Sequence, residues 1–180
     1  MTEKIVLGGG CFWCIEAVYQ MVRGVTKVTS GYAGGADDKP NYYSVSSEKT
    51  GHAEVIEVEF DPSVLSLENL FAIFFTAHDP TTRNQQGADK GTQYRSVILY
   101  TTEAQKAGAE EYMKKLTEEK VYSNPVVTEL LSLEKFFPAE DYHQNYYNQN
   151  KDANPYCQVV IDPKIAKIRQ SFAHLLKNNG

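Results

Sequence analysis

Two kinds of hydrophobic periodicity alternate along the chain, and they predict strands and helices in turn. Short apolar or alternating runs, typical of strands, occupy 4–7, 25–33, 53–60, 96–100 and 126–133. Helices are predicted between and after them, at 15–22, 67–75, 102–120 and 163–177. The order β-α-β, β-α-β and α-β indicates an α/β protein, an α+β roll with a ferredoxin-like split βαβ core.

Two of the helices carry start signals in the sequence. Ser66 is placed as an N-cap, and Thr102 is followed three residues later by Gln105, the spacing of a capping box. Residues 34–49 are polar and turn-rich, so a long loop is expected there. Residues 138–157 are polar, tyrosine-rich and without period, which predicts an ordered C-terminal coil wrapped over the surface before the terminal helix. No segment resembles a linker, so we expect a single domain over 1–180.

Composition excludes several classes of protein. The 18 basic and 23 acidic residues give a net charge of −5, which argues against a nucleic-acid partner. Mean hydropathy is −0.44, and no apolar run approaches the ~18 residues of a membrane span. No secretory signal is visible at the start, and three cysteines favour thiol chemistry over a disulfide scaffold, so a cytoplasmic location is expected. No self-complementary apolar face is evident, so a monomer is expected.

The richest segment is the run GGGCFWC over 8–14, where a predicted strand meets a predicted helix. A thiol at Cys11 would sit at the positive end of the helix dipole, which lowers a cysteine pKa and favours the nucleophilic thiolate. Phe12 and Trp13 could wall a small apolar pocket, although both could equally be core residues. Cys11 itself could be a buried apolar side chain, but the glycine-rich corner favours a nucleophile.

Cys14 completes a C-x-x-C pattern, which is typical of redox pairs and of zinc sites. The four histidines are scattered and no second cysteine pair exists, so no metal is expected. Cys14 could also be a packed side chain in the first helical turn.

Glu54 begins the alternating strand 53–60 and shares a face with Ile56, Val58 and Phe60. A carboxyl group at the end of an apolar face is desolvated, which raises its pKa and suits it to act as a general acid. Glu57 lies on the other, wetter face. From spacing alone, the polar segment 87–96 and the tyrosines ahead of Glu54 could be ordinary loops.

Taken together, the motifs GCFWC, GYAGG, TGHAE, FDP, HDPT, GTQYRS and EDYHQNY, in this order, resemble those of the methionine sulfoxide reductase A family. The resemblance runs from about residue 4 to residue 157. It implies an α/β roll without metal or organic cofactor that reduces methionine-S-sulfoxide, free or peptide-bound. The expected role is repair of oxidised proteins, with thioredoxin as the reductant.

The resemblance also implies roles for individual residues. Cys11 would attack the sulfoxide sulfur, forming a sulfenic acid, and Glu54 would protonate the sulfoxide oxygen. The remaining roles are hydrogen bonds from Tyr42 and Tyr94, positioning by Asp89, and substrate binding by Phe12, Trp13 and His52.

The partner of Cys11 in the redox-active disulfide is open. The family often has glycine where Cys14 stands and carries recycling cysteines in a glycine-rich tail, whereas here Cys157 precedes a predicted helix. Residues i and i+3 of a helix are neighbours, so Cys14 is the expected resolving cysteine, with Cys157 as the alternative.

Three other functions fit parts of the sequence. A thiol acyltransferase or hydrolase would pair Cys11 with His52 or His143 as base. A general thiol-disulfide oxidoreductase would use Cys11 and Cys14. A non-catalytic peptide binder would use only the aromatic pair.

Overall fold

The computed structural model describes residues 1–178, which form a six-stranded sheet with helices packed on it. The strand order is β7-β6-β1-β3-β2-β8, and only the β6–β7 pair is parallel. The strands of this sheet are β1 (Glu3–Gly8), β2 (Val25–Ala33), β3 (Ala53–Phe60), β6 (Val97–Tyr100), β7 (Glu129–Ser132) and β8 (Phe136–Pro138). A separate two-stranded hairpin pairs β4 (Gln85–Gln86) with β5 (Asp89–Lys90).

Within residues 1–178, six α-helices accompany the sheet: α1 (Phe12–Gln20), α2 (Tyr42–Ser46), α3 (Leu67–Ala77), α4 (Glu103–Glu118), α5 (Tyr146–Asn150) and α6 (Asp162–Phe172). Both predicted N-caps are confirmed, since Ser66 Oγ accepts from Asn69 N at 3.1 Å and Thr102 Oγ1 accepts from Gln105 N at 3.1 Å. The Gln105 side chain accepts from Thr101 N at 2.8 Å, one residue before the position of a regular capping box.

The predicted ferredoxin-like core is confirmed by the connectivity. The units β1-α1-β2 and β3-α3-β6 interleave so that β6, β1, β3 and β2 lie side by side with antiparallel neighbours. The edge strand β8 was not predicted, because three residues are too short to show a period. The predicted strand 126–133 shortens to β7, since Val127 N donates to Pro80 O outside the sheet.

The two faces of the sheet bury different amounts of apolar surface. On the helix-covered face, Ile56, Val58 and Phe60 of β3 join the main core with α1 and α3. On the other face, Ala53 and Val55 belong to a smaller cluster. The alternation along β3 therefore points the Glu54 side chain toward the main core, as the sequence predicts.

Both segments expected to be irregular contain short helices. The 34–49 loop holds α2, which begins with a capping box in which Asn41 Oδ1 accepts from Ser44 N at 3.0 Å. The 138–157 segment is ordered, as predicted, but it contains a 3₁₀ turn over Asp141–His143 and α5. A five-residue π-helical turn over Cys157–Ile161 then leads into α6. Across residues 1–178, no helix has the length and apolar character to cross a membrane.

Candidate active site

The thiol of Cys11 lies at the corner between β1 and α1, where Cys11 is the N-cap residue and its side chain is 8% exposed. The two glycines before it are required by the packing. A Cβ on Gly9 would lie 2.9 Å from the His78 ring, and one on Gly10 would lie 2.7 Å from the Gln86 side chain. Gly10 also has φ of +91°, which disfavours any other residue. The predicted strand-to-helix corner at Cys11 is confirmed.

Glu54 is a buried carboxyl group directly beside this corner. Its side chain is 2% exposed, and its Oε1 accepts from the backbone N–H of Phe12 at 3.2 Å. Burial raises the pKa of Glu54 to about 8, even though the hydrogen bond from Phe12 opposes the rise. At neutral pH the carboxyl group is therefore mostly protonated and can give up a proton.

Seven of the predicted site residues, all except His52 and the two possible resolving cysteines, line one small pocket of about 190 Å³. Cys11 and Glu54 lie in it together with two tyrosines, Tyr42 from α2 and Tyr94 from the turn before β6. Burial, followed by the nearby charge of Glu54, raises the pKa of both tyrosines, so their hydroxyl groups stay protonated donors. The pocket is lined by Cys11, Phe12, Trp13, Tyr42, Glu54, Asp89, Tyr94 and Tyr156.

One wall of the pocket is the indole of Trp13, which is held on two sides. Trp13 Nε1 donates to His143 Nδ1 at 3.1 Å, and the indole stacks on Tyr146 with ring centroids 3.7 Å apart and nearly parallel planes. The buried Glu16 carboxyl group of α1 accepts from the backbone N–H groups of Asn145 and Tyr146 at 2.9 and 3.2 Å. The C-terminal segment thereby fixes the indole against α1.

Tyr156 is the pocket residue that the sequence did not reveal. Its hydroxyl donates to Asp89 Oδ2 at 2.7 Å and lies 3.7 Å from Cys14 Sγ, while its ring meets Trp13 edge-on. It therefore links the pocket to the second thiol. The only signal in the sequence was the density of tyrosines in 138–157, which does not single out one of them.

The pKa of the Cys11 thiol is raised, whereas the sequence predicts that it is lowered. Burial raises the pKa of Cys11 well above its ordinary value, and the neighbouring thiol of Cys14 adds to the rise. The thiol of Cys11, together with the charge of Lys164, lowers the pKa of Cys14. The prediction that the helix dipole lowers the pKa of Cys11 is therefore wrong, because the effect of desolvation on the pKa is larger than that of the helix terminus.

Cys157 is buried at the start of the π-helical turn, and burial raises its pKa. All three cysteines are free thiols.

The structure does not bring His52 into the pocket. Its Nδ1 accepts from Gly35 N at 2.9 Å, so its Nε2 donates to Asp37 O at 2.6 Å, and the ring holds the loop after β2. The expectation that His52 binds substrate is therefore not supported by its position.

His143 is the second histidine that could act as a base toward Cys11. Its Nδ1 accepts a hydrogen bond from Trp13, and neither His52 nor His143 is among the residues that line the pocket beside the Cys11 thiol. This arrangement gives no support to a cysteine–histidine acyl-transfer enzyme. Within residues 1–178, no group of three or more metal-ligating side chains is placed to hold an ion.

Comparisons with known proteins agree with one another. The family model described as peptide methionine sulfoxide reductase matches residues 3–176. A peptide methionine sulfoxide reductase MsrA of Chromobacterium violaceum is 51% identical over 176 residues, which is 98% of this chain and 99% of that protein. Among solved structures, reduced Mxr1 of Saccharomyces cerevisiae superposes with a TM-score of 0.79 at 34% identity, covering 85% of this chain and 88% of Mxr1. Mxr1 in complex with Trx2 superposes with a TM-score of 0.57 at 25% identity, covering 81% and 84%.

Proposed function

This chain belongs to the peptide methionine sulfoxide reductase family, and we propose that Cys11 is the nucleophile of the methionine sulfoxide reduction that it catalyses. The observation that carries the proposal is the shared pocket: a thiol and a protonated carboxyl group face the same space of about 190 Å³. A sulfoxide oxygen is a poor leaving group until it is protonated. A neutral acid beside the attacking sulfur supplies what the reaction requires.

In the proposed complex, the substrate methyl group lies against Phe12 and Trp13, and the sulfoxide oxygen accepts hydrogen bonds from Glu54, Tyr42 and Tyr94. All five of these residues line the pocket beside Cys11. Phe12 is almost fully buried and touches Tyr32 and His143 as well, so it also serves as a core residue. Asp89 holds the Tyr156 hydroxyl and thereby orders the opposite wall. We propose the S epimer as the substrate.

The reductase step transfers one oxygen atom and two electrons. Glu54 protonates the sulfoxide oxygen while the Cys11 sulfur bonds to the sulfoxide sulfur, and the thiol proton of Cys11 restores the carboxyl group. The hydroxyl group then moves from the substrate sulfur to the Cys11 sulfur as the sulfur–sulfur bond breaks, which gives a sulfenic acid and releases methionine. The raised pKa of the Cys11 thiol is compatible with this sequence, because both groups bind their protons before the substrate arrives.

For recycling, we propose that Cys14 condenses with the Cys11 sulfenic acid to form a disulfide and water. The position of Cys14 in the first turn of α1, where its backbone N–H donates to Cys11 O at 3.1 Å, and the lowered pKa of Cys14 support this choice. Cys157 is the alternative, because it directly follows Tyr156, whose hydroxyl lies beside Cys14. We propose a thioredoxin as the reductant of the disulfide, because Mxr1, which shares this fold, has been solved in complex with Trx2.

We also propose that residues 1–180 form one monomeric domain that works in the cytoplasm. The family match over residues 3–176 and the single main core support one domain. Free thiols at the pocket suit a reducing compartment.

The test is to incubate the enzyme and its Cys11→Ser variant with racemic methionine sulfoxide and a dithiol, then to separate the epimers. The wild type should consume the S epimer and stop when half of the total is reduced, so the R epimer is the internal control. Cys11→Ser should fold normally and consume neither. A Cys11→Ser variant that kept most of its turnover would exclude Cys11 as the nucleophile. Consumption of both epimers by the wild type would contradict the proposed stereochemistry.

A further inference from the structure

Two tyrosine rings that are exposed to solvent contact residues in or beside the candidate pocket. Tyr43 is 82% exposed and Tyr142 is 57% exposed, although large aromatic rings usually bury most of their surface. They are joined to the pocket through ring contacts. The ring centroids of Tyr43 and Tyr42 lie 6.2 Å apart in an edge-on arrangement. The centroid of His143 lies 4.8 Å from that of Tyr42 and 4.2 Å from that of Tyr142. We call Tyr43 and Tyr142 the aromatic rim.

One carboxylate ties together the two chain segments that carry the aromatic rim. Glu140 Oε2 accepts from the backbone N–H of Tyr42 at 3.0 Å and from the hydroxyl of Tyr142 at 3.4 Å, while Oε1 accepts from the Tyr32 hydroxyl at 2.8 Å. The start of α2 and the 3₁₀ turn that carries Tyr142 are thus tied to the same group. A surface ordered in advance loses little conformational entropy when a ligand binds to it.

The size of the pocket leaves the rest of a peptide substrate outside. At about 190 Å³ the pocket lies below the ~300 Å³ at which ordinary small-molecule sites begin, so it accommodates one side chain. Residues that flank the oxidised methionine in a polypeptide must therefore lie on the surface outside the pocket. The aromatic rim is exposed surface of this kind, joined to the pocket residue Tyr42 directly and through His143. Where such a flanking side chain is apolar, contact with an exposed aromatic ring removes apolar surface of both from water, which a glycine at the same position cannot do.

We propose that the aromatic rim is a docking surface for apolar side chains that flank methionine sulfoxide in an unfolded polypeptide. The proposal rests on the proposed function, since it assigns the surroundings of the same pocket. A rim of this kind makes the enzyme prefer oxidised polypeptides with apolar residues beside the methionine sulfoxide. Reduction of a single blocked amino acid, which has no flanking side chains, does not depend on Tyr43 and Tyr142.

The experiment compares kcat/KM for three substrates: N-acetyl methionine sulfoxide methylamide, a heptapeptide with central methionine sulfoxide between Leu and Phe, and the same peptide with Gly at both positions. The wild type should favour the apolar-flanked peptide over the glycine peptide by about tenfold, the scale of one or two aromatic anchors at an interface. The double variant Tyr43→Ser, Tyr142→Ser should lose this preference. Variants with Phe at both positions should keep it, because they retain the rings.

Tyr100→Ser is the matched control, because Tyr100 is a partly exposed tyrosine at the end of β6, where Lys106 covers its ring. It should leave the preference unchanged. The proposal is overturned if the wild type shows no preference, if the double Ser variant retains it, or if that variant slows all three substrates equally. Failure of the wild type to reduce the blocked amino acid would instead contradict the proposed function.

Discussion

The protonated state of Glu54 has a consequence for folding that can be measured without any substrate. Replacing Glu54 by Gln keeps the size and polarity of the side chain but removes its titration. In the folded chain, burial raises the pKa of Glu54 to about 8, whereas an unfolded chain leaves a glutamate near 4.5. Folding therefore favours the protonated form of Glu54 and disfavours the ionised form, relative to the unfolded chain.

The sign and size of the effect follow from this difference. Glu54 contributes most to stability below pH about 4.5, and its contribution falls as pH rises toward about 8 and is constant above that pH. The fall is about 1.4 kcal/mol per pH unit, so between pH 5.5 and pH 8 the wild type should lose about 3 kcal/mol relative to Glu54→Gln. The nearly complete burial of the side chain means that solvent screens little of this cost.

The assay is urea unfolding of both proteins at half-unit steps of pH in the presence of a phosphine reductant, with far-UV circular dichroism as the signal. The difference in the free energy of unfolding isolates position 54, since every other group titrates in both proteins. Glu57→Gln is the control, because Glu57 lies on the other side of β3, where Lys4 Nζ is 3.6 Å from its carboxylate. The difference in the free energy of unfolding between the wild type and Glu57→Gln should not decline toward pH 8 as the difference for Glu54→Gln does.

A flat difference curve for Glu54→Gln, or one with the opposite slope, would refute the reasoning, because it would mean that the buried carboxyl group is already ionised in the folded chain. A constant amount added to a difference curve that keeps the expected slope would leave the reasoning intact, since only the slope reports the proton.

Two further predictions concern the indole and the recycling thiol. Trp13→Ala removes the ring that stacks on Tyr146 and donates to His143, so steady-state assays should show KM raised roughly tenfold with a smaller change in kcat; an unchanged KM would make the indole a packing residue only. Cys14→Ser should leave a burst of one methionine per enzyme intact but greatly slow thioredoxin-driven cycling, whereas Cys157→Ser should cycle nearly normally, and peptide mass mapping after one turnover should find Cys11 joined to Cys14. The reverse pattern would give the resolving role to Cys157.

The sequence by itself determined the features that depend on near neighbours in the chain. The alternation over β3 placed Glu54 on the core side, because successive side chains of a strand point to opposite faces. The glycine run placed Cys11 at a strand-to-helix corner, and polar residues marked the starts of α3 and α4. The motif order then identified the family, which promoted Tyr42, Tyr94 and Asp89 from loop residues to candidates that the structure brings into one pocket.

The tertiary structure decided what depends on burial and on contacts distant in the sequence. Tyr156 reaches Asp89 and Cys14 from 67 and 142 residues away, and no local pattern encodes that approach. His52 turned toward the backbone of its own loop because Gly35 N and Asp37 O take both ring nitrogens. The pKa of Cys11 rises because the field of a helix terminus contributes only ~0.3–1 kcal/mol, whereas removing a thiolate from water costs more, and only the packed fold sets how much water is removed.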